Sequence, residues 1–192
     1  MAQLVLASGS SYRRALLQRL VLPFTWQAPE IIETPRANET ASQLTERLAL
    51  AKARALQARF THHLIIGSDQ VLAIDGQLIS KPGSHDAAVE QLRMCSGQTI
   101  EFTTSLCLLN SLTGKHQLTS QPFQVTFREL DDASIERYLQ HEQPYDCAGS
   151  FKAEGLGISL FSAMHGNDPT SLIGLPLIAL CSMLRHEGVA LP

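Results

Sequence analysis

The chain has 192 residues, of which 44% are hydrophobic, and its formal net charge at neutral pH is −3. This length and composition are typical of a globular protein, so we expect a single folded domain spanning residues 1–192. Acidic and basic residues are spread without long runs, which argues against binding to nucleic acid or to a membrane surface and favours a discrete, local binding pocket.

The four cysteines have no CxxC spacing, so neither a zinc knuckle nor a disulfide framework is indicated, and we expect reduced thiols in the core. The N-terminus has no basic region followed by a long apolar segment, and the longest apolar run, residues 172–184, is too short to cross a bilayer. We therefore expect a cytoplasmic protein that does not bind membranes. The run itself predicts a buried helix with Pro176 in its first turn.

The first predicted elements are a short apolar strand, a turn of small residues and a helix that opens with Arg13 and Arg14. Leu16, Leu17 and Leu20 mark the buried side of this helix, and Arg13 lies on the same side. The positive end of the helix dipole disfavours an arginine there by up to about 1 kcal/mol unless an anion offsets it.

The segment from Ser8 to Arg14 therefore has the composition of a phosphate site. A phosphate would accept hydrogen bonds from the free backbone N–H groups of residues 10–12, from the hydroxyls of Ser8 and Ser10, and from both guanidinium groups. The alternative is a serine that caps the helix and is followed by surface arginines.

The next elements are a helix, a buried strand and a hairpin. Leucine and alanine residues at helical spacing predict the helix over residues 42–58. The apolar run Leu64–Ile66 predicts a strand buried on both faces, and Gly67-Ser68-Asp69 follows it directly. Residues 71–79 predict a β-hairpin whose turn is Asp75-Gly76, so Asp69 is expected at a strand end.

The second half of the chain predicts a mixture of helices and long strands. A helix is expected over residues 86–95, and apolar alternation predicts two antiparallel strands that contain residues 100–108 and 123–127 and are joined by residues 110–115. Asp131 is expected to cap the helix that follows. Three glycine-rich segments come last, at residues 148–157, 166–169 and 174–176. Together these elements predict an α/β (mixed α+β) fold with a groove between two lobes.

Asp69 is the leading candidate for the reacting centre because it stands between two apolar segments, 64–66 and 71–72. Partial desolvation would raise its basicity and a divalent metal would hold it ionised, and both settings suit the activation of a water molecule. The alternative is an aspartate that caps a turn. Glu33 is a candidate to share a metal with Asp69, because oxygen ligands suit magnesium or manganese; the alternative is a surface carboxylate.

Two lysines are candidates for binding phosphate, each with a plainer alternative. Lys52 lies beside the apolar stripe of its helix and would otherwise be a rim lysine. Lys81 follows the hairpin and would otherwise be an exposed loop lysine. The seven histidines have no zinc-binding spacing, and His62-His63 is interpreted as a solvated pair before a strand.

These segments, in this order, resemble the Maf family of nucleoside triphosphate pyrophosphatases over essentially the whole chain. The family's SxSxxRR signature is matched by residues 8–14, its acidic element by Glu33-Thr34, its helix lysine by residues 47–53, its catalytic aspartate segment by residues 67–71, its lysine element by Lys81-Pro82, and its final motifs by residues 147–155 and 166–176. The resemblance implies a fold like that of inosine triphosphate pyrophosphatases, with a mixed sheet and helices in two lobes around a central cleft, and it implies a homodimer.

The resemblance also implies an activity, which is metal-dependent hydrolysis between the α- and β-phosphates of a nucleotide with Mg²⁺, Mn²⁺ or Co²⁺ as cofactor. It implies that Asp69 accepts the proton and that Asp69 and Glu33 hold the metal. Its implied phosphate-binding residues are Ser8, Ser10, Arg13, Arg14, Lys52 and Lys81.

Tyr12, Gln70 and Glu154 resemble the selectivity positions of the family's 7-methyl-GTP branch. The N7-methylated guanine ring is cationic, so an aromatic face such as Tyr12 favours it, and the Glu154 carboxylate would accept from N1–H and the exocyclic amine. One alternative is a pyrophosphatase for dTTP, UTP or other modified nucleotides. A second, non-enzymatic alternative is a nucleotide-binding regulator of cell division, which the intact Asp69, Lys81 and arginine pair disfavour.

Overall fold

The computed structural model describes residues 3–74 and 77–192. Its helices are α1 (Ser11–Gln18), α2 (Ala41–Ala55), α3 (His85–Cys95), α4 (Asp132–Glu142) and α5 (Leu177–His186). Its strands are β1 (Gln3–Leu6), β2 (Phe24–Trp26), β3 (His63–Ile74), β4 (Gln77–Ile79), β5 (Thr99–Asn110), β6 (His116–Phe127) and β7 (Phe161–His165). Short 3-10 helices cover Leu156–Leu160 and Pro169–Ser171.

The strands form one mixed sheet with the order β2-β1-β3-β5-β6-β7, and β4 pairs with β3. β1 lies between β2 and β3 and is parallel to both. β3 and β4 are antiparallel, as are β6 and β7. The N–H of Asn110 donates to Lys115 O and that of Phe127 to Gln98 O, so β5 and β6 run in opposite directions. The predicted mixed α/β fold and its antiparallel pair are confirmed.

The chain divides into two compact units. The first comprises Met1–Gln70, Thr103–Gln121 and Asp168–Pro192, and the second comprises Val71–Phe102 and Pro122–Asn167. That the whole chain acts as one domain stays a prediction.

The core of the first unit lies on both faces of the central strands. Alternate residues of β1 point to opposite faces, so Leu4 and Leu6 join a cluster with the buried leucines of α1 and α5. Val5 and Ala7 join a second cluster with the alanines of α2. β1 is therefore buried on both sides, and it delivers the chain into the serine turn and α1.

The second unit has an aromatic core. The rings of Phe102 and Phe127 each meet the ring of Phe151 edge to face, with centroids 5.3 and 5.7 Å apart. Phe161 packs against Phe127 and Phe151 in the same way. These side chains come from β5, β6, β7 and the glycine-rich segment after α4.

Two sequence-based expectations about the ends of elements are wrong. β3 does not end at Ile66 but continues to Ile74, so Asp69 lies inside the strand rather than at its end. α5 begins at Leu177, and Pro176 precedes the helix instead of standing in its first turn. The β3–β4 pairing is confirmed, and the expected turn residues Asp75-Gly76 lie outside the described residues.

The remaining expectations are confirmed in part. All four cysteines are free, and Cys95 and Cys107 are buried, whereas Cys147 and Cys181 are only partly buried. His63 is not a solvated residue before the strand, because it is the first residue of β3 and is half-buried. None of the described helices is long and apolar enough to cross a membrane.

Candidate active site

An ion triad with two buried members forms the centre of the candidate site. Lys52 projects from α2 and its Nζ lies 2.6 Å from Oδ1 of Asp69 and 2.9 Å from Oε1 of Glu33. Asp69 and Lys52 are each only 6% exposed, whereas Glu33 is exposed. Three predicted site residues that lie far apart in sequence are therefore brought together around one ammonium group.

Gly67 explains how α2 comes close enough to β3 for this contact. A Cβ on Gly67 would collide with the backbone carbonyl oxygen of Ala49, and it would lie 3.0 Å from the backbone nitrogen of Ala53. The helix backbone thus packs directly on the strand at this glycine. Lys52, on the same stretch of α2, reaches Asp69 two residues further along β3.

Burial raises the pKa of the Asp69 carboxyl group, because a charged carboxylate loses solvation in this environment. The nearby Lys52 ammonium and, to a lesser extent, Arg13 oppose this shift, while Glu33 adds to it. Asp69 is therefore a carboxylate whose basicity is increased by burial and whose orientation is fixed by a cation.

Arg47 fastens the segment that carries Glu33. Its Nη2 donates to the carbonyl oxygen of Thr34, 3.2 Å away, and its Nε donates to Glu39 Oε1 at 2.6 Å. The Arg47 guanidinium lowers the pKa of Glu39 to about 2. Sequence reasoning placed Arg47 in the helix-lysine motif without a role of its own, and the structure shows that it connects α2 to the acidic segment.

Arg13 is held on the inward side of α1, as its position beside Leu16 and Leu17 predicted. Its Nε donates to the carbonyl oxygen of Gly174 at 2.8 Å. Burial lowers the pKa of its guanidinium group, and the negative charges of Asp69 and Glu33 oppose that shift. Arg13 is thus a partly buried cation close to the triad and not a surface arginine.

The serine turn before α1 is pre-ordered by its own hydrogen bonds. Ser8 is buried and its Oγ accepts from the N–H of Ser10 at 3.1 Å. The Oγ of Ser10 accepts from the N–H of Arg13 at 3.3 Å, so Ser10 is the N-cap of α1. The expectation that the Ser10 N–H is free is therefore wrong, because the Ser8 hydroxyl already binds it.

The Arg14 side chain contacts an aromatic ring. Its guanidinium carbon lies 4.8 Å from the centre of the Trp26 ring.

The segment before α5 is tied to β3 and β5 by polar side chains that sequence reasoning missed. The Oγ of Ser68 lies 2.9 Å from Gly174 O, the same oxygen that binds Arg13, and 2.9 Å from Ser105 O, so its single O–H is shared between the two carbonyl oxygens. Thr104 Oγ1 donates to Ser171 O at 2.9 Å. Gly174 has a φ of +111°, a backbone conformation that favours glycine. The glycine-rich sequence of this segment was the signal that pointed to a close backbone approach.

One carboxamide and one carboxylate also bind the backbone of this segment. The Gln70 Nε2 donates to Ser171 O and to Leu172 O, both at 2.9 Å. Asp168 is buried, and its Oδ2 accepts from the N–H of Ile178 at 2.7 Å in the first turn of α5. Pro176, which precedes α5, has no side-chain group that can cap the helix. Asp168, eight residues before Pro176, therefore provides the cap.

The other predicted site residues are placed as follows. Tyr12 lies half-buried in the first turn of α1. Lys81 is exposed in the segment between β4 and α3, and Glu154 is exposed in a turn before the first 3-10 helix. Lys81 and Glu154 both belong to the second unit.

The candidate metal ligands of the site are carboxylates. Within residues 3–74 and 77–192 no group of three or more His, Cys, Asp or Glu residues could hold a metal ion. Glu33 and Asp69 nevertheless converge on the same ammonium group. Two carboxylates suit a Mg²⁺-like ion that takes its remaining ligands from substrate phosphates and water.

Comparison with known proteins identifies the family of the chain. A family model described as "Maf-like protein" matches residues 3–187, and the chain belongs to the Maf family. It is 61% identical to a protein of Pseudomonas savastanoi pv. phaseolicola named "7-methyl-GTP pyrophosphatase", over 100% of both chains. A Pseudomonas aeruginosa protein of the same name is 53% identical, again over 100% of both chains. Among solved structures, "The structure of the Staphylococcus aureus Ham1 protein" has a TM-score of 0.48 and 14% identity, and the match covers 66% of this chain and 72% of that one.

Proposed function

We propose that this protein hydrolyses N7-methyl-GTP between its α- and β-phosphates to N7-methyl-GMP and pyrophosphate. The observation that carries the proposal is the buried Asp69, ion-paired with Lys52 at 2.6 Å and close to the arginine-bearing start of α1. The full-length relatives named for this activity support the same conclusion.

Asp69 accepts a proton from the attacking water. The water oxygen forms a new bond to phosphorus while the bond to the bridging oxygen between the α- and β-phosphates breaks, and pyrophosphate leaves. A carboxylate whose pKa is raised by burial is a stronger base than an ordinary aspartate. The contact with Lys52 keeps this carboxylate in one orientation.

The phosphates bind to the cationic groups of the first unit and to Lys81. Arg13 and Arg14 stand at the N-terminal end of α1, where the helix dipole also favours an anion. The Ser8 and Ser10 hydroxyls line the turn that leads into the helix. Lys52, whose ammonium group is held in place by two carboxylates, is a further proposed phosphate-binding cation. Positioning and charge neutralisation of this kind dominate catalysis of phosphoryl transfer.

Asp69 and Glu33 would hold Mg²⁺, Mn²⁺ or Co²⁺. When bound, such an ion neutralises phosphate charge and polarises the phosphoryl oxygens. The chain's own contribution is to bring the two carboxylates together through Lys52 and to fasten the Glu33 segment through Arg47.

Selectivity for the methylated base rests on three residues. Tyr12 offers a π-face to the cationic purine, and Glu154 offers a carboxylate to its N1–H and amine donors. Both amide hydrogens of Gln70 are used by backbone oxygens, which leaves its amide oxygen to act as an acceptor.

A substrate panel tests the proposal directly. Pyrophosphate release is measured from N7-methyl-GTP, GTP, dTTP and UTP with magnesium, manganese or cobalt, and N7-methyl-GTP should give the highest kcat/KM. A higher kcat/KM for dTTP or UTP would identify a pyrimidine nucleotide pyrophosphatase instead.

The proposed homodimer and the proposed cytoplasmic location have their own tests. Sedimentation of the same sample should show a homodimer. Cell fractionation should place the protein in the cytoplasmic fraction.

A further inference from the structure

We infer that Trp26 is a positioning residue for Arg14, fixing its guanidinium group so that it meets an incoming polyphosphate. The inference rests on the proposed function, in which Arg14 binds phosphate. Trp26 is 52% exposed, and the guanidinium carbon of Arg14 lies 4.8 Å from the centre of its ring. A cation within about 6 Å of an aromatic ring centre is attracted by the negative face of the ring.

The strand register explains why Trp26 stands beside the start of α1. Trp26 is the last residue of β2 and pairs with Leu6, the last residue of β1, directly before the serine turn. Phe24 lies two residues earlier on the same face of β2 and packs against the leucine cluster beneath α1. The ring of Trp26 continues this face, with its centre 6.3 Å from that of Phe24. The strand thus presents the indole to a side chain from the first turn of the helix.

An aromatic partner for Arg14 affects how readily its guanidinium group binds an anion. The first turn of α1 contains no acidic residue, and within the described residues Arg14 has no ion pair with a carboxylate. A carboxylate would neutralise Arg14 and would have to be displaced by a phosphate. An aromatic face orients the guanidinium plane but leaves its charge and its in-plane N–H donors available to an anion.

The two arginines are therefore held by different means. Arg13 uses its Nε to bind the carbonyl oxygen of Gly174, which gives it a fixed, partly buried position. Arg14 rests on an exposed ring. Trp26 thus positions the guanidinium group of Arg14, as the Gly174 carbonyl oxygen positions that of Arg13.

Fluorescence gives a direct test because Trp26 is the only tryptophan of the chain. The positive charge of Arg14 should attract iodide to the indole, so the iodide quenching constant should fall in the R14Q variant while quenching by neutral acrylamide stays the same. Tripolyphosphate should lower iodide quenching in the wild-type protein and have no such effect in R14Q. An equal effect of tripolyphosphate in both proteins, or none in the wild type, would overturn the inference.

Kinetics provide the second test. The W26L variant should raise KM for N7-methyl-GTP about two- to fivefold with a smaller change in kcat, and W26F, which keeps a ring, should have a smaller effect. In the R14Q background W26L should add nothing to KM. Leu112→Ala, which shortens a side chain that is 64% exposed in the turn after β5, is the matched control and should leave KM unchanged.

The outcomes separate this inference from the proposed function. If W26L raises KM by the same factor with and without Arg14, Trp26 does not act through Arg14 and the inference is wrong, whatever the substrate. If no triphosphate is hydrolysed but tripolyphosphate still protects Trp26 from iodide only when Arg14 is present, the proposed function fails and the inference stands. Far-ultraviolet circular dichroism of W26F and W26L checks that both variants are folded.

Discussion

The Nζ of Lys52 lies 2.6 Å from Oδ1 of Asp69, and both side chains are only 8% exposed. A buried pair of this kind couples two properties, because the cation that orients the carboxylate also controls how easily it ionises. Catalysis, pH dependence and folding stability should therefore all respond to changes at these two residues.

Asp69→Asn should reduce kcat by about 10²- to 10⁴-fold, the usual contribution of a general base. Nucleotide binding should be partly retained, since the arginines and Lys52 remain. Pyrophosphate release and equilibrium nucleotide binding measure the two effects separately. Glu101→Gln, at an exposed carboxylate on β5, is the matched control and should behave like the wild type. Full turnover by Asp69→Asn would rule out Asp69 as the base.

The acidic limb of the kcat/KM profile should lie at higher pH than an ordinary aspartate would give, because burial raises the pKa of Asp69. The same shift predicts a change in stability with a definite sign. A carboxyl group whose pKa is raised by folding favours the folded state below its unfolded pKa, and this advantage is lost as pH rises through its folded pKa. The stability of the wild type relative to Asp69→Asn should therefore fall as pH increases through that range. Chemical denaturation of both proteins across the pH range measures this difference, and a constant difference would contradict the raised pKa.

Lys52→Met should lower both stability and activity. Loss of one partner leaves Asp69 buried without its cation, which typically costs about 3–5 kcal/mol. The pKa of Asp69 should rise further, since Lys52 now lowers it, so the acidic limb of the pH profile should move upward. Urea denaturation and the pH profile of kcat/KM give the two readouts. Lys115→Met changes an exposed lysine in a turn and serves as the control.

Arg13→Gln should raise KM more than Arg14→Gln. Arg13 is fixed near the triad by the Gly174 carbonyl, whereas Arg14 rests on an exposed ring. Loss of a hydrogen bond from a charged group costs about 1.5–3 kcal/mol, which corresponds to roughly a 10- to 150-fold change in affinity. Arg19→Gln, at the exposed end of α1, is the control for loss of charge in the same helix. Equal rises in KM for the two variants would contradict this geometry.

Glu154→Gln should shift preference away from N7-methyl-GTP towards nucleotides with uncharged bases. The amide that replaces the carboxylate can accept only one of the two guanine donors and no longer carries negative charge opposite the cationic ring. The substrate panel described above, repeated with this variant, measures the change. An unchanged ranking of kcat/KM would remove the argument that Glu154 recognises the base.

Gly67→Ala should lower the melting temperature and kcat together. Its Cβ would collide with the Ala49 carbonyl oxygen, so α2 would have to move away from β3, and overpacking of this kind costs about 1–3 kcal/mol. The displacement would also separate Lys52 from Asp69. Gly9→Ala is the control for stability alone, since its Cβ would lie 3.4 Å from the Ala28 side chain, an ordinary contact.

The local structure and the composition of the site follow from the amino-acid sequence. Periodicity and capping residues predicted β1, α1 and the side of α1 on which Arg13 lies, because these features depend on neighbours three or four residues apart. The short motifs that contain Arg13, Lys52 and Asp69, in that order along the chain, carried the family resemblance. Element ends were predicted less well, since a side chain such as Ser68 continues a strand only when distant partners satisfy its hydroxyl group.

How these residues meet depends on the three-dimensional fold. The Lys52–Asp69–Glu33 triad, the Gly174 carbonyl that holds Arg13 across 161 positions of the chain, and the Trp26 ring beneath Arg14 are contacts between separate elements. Such contacts depend on strand order, register and the close packing of a helix on Gly67, and no local pattern in the sequence specifies those quantities.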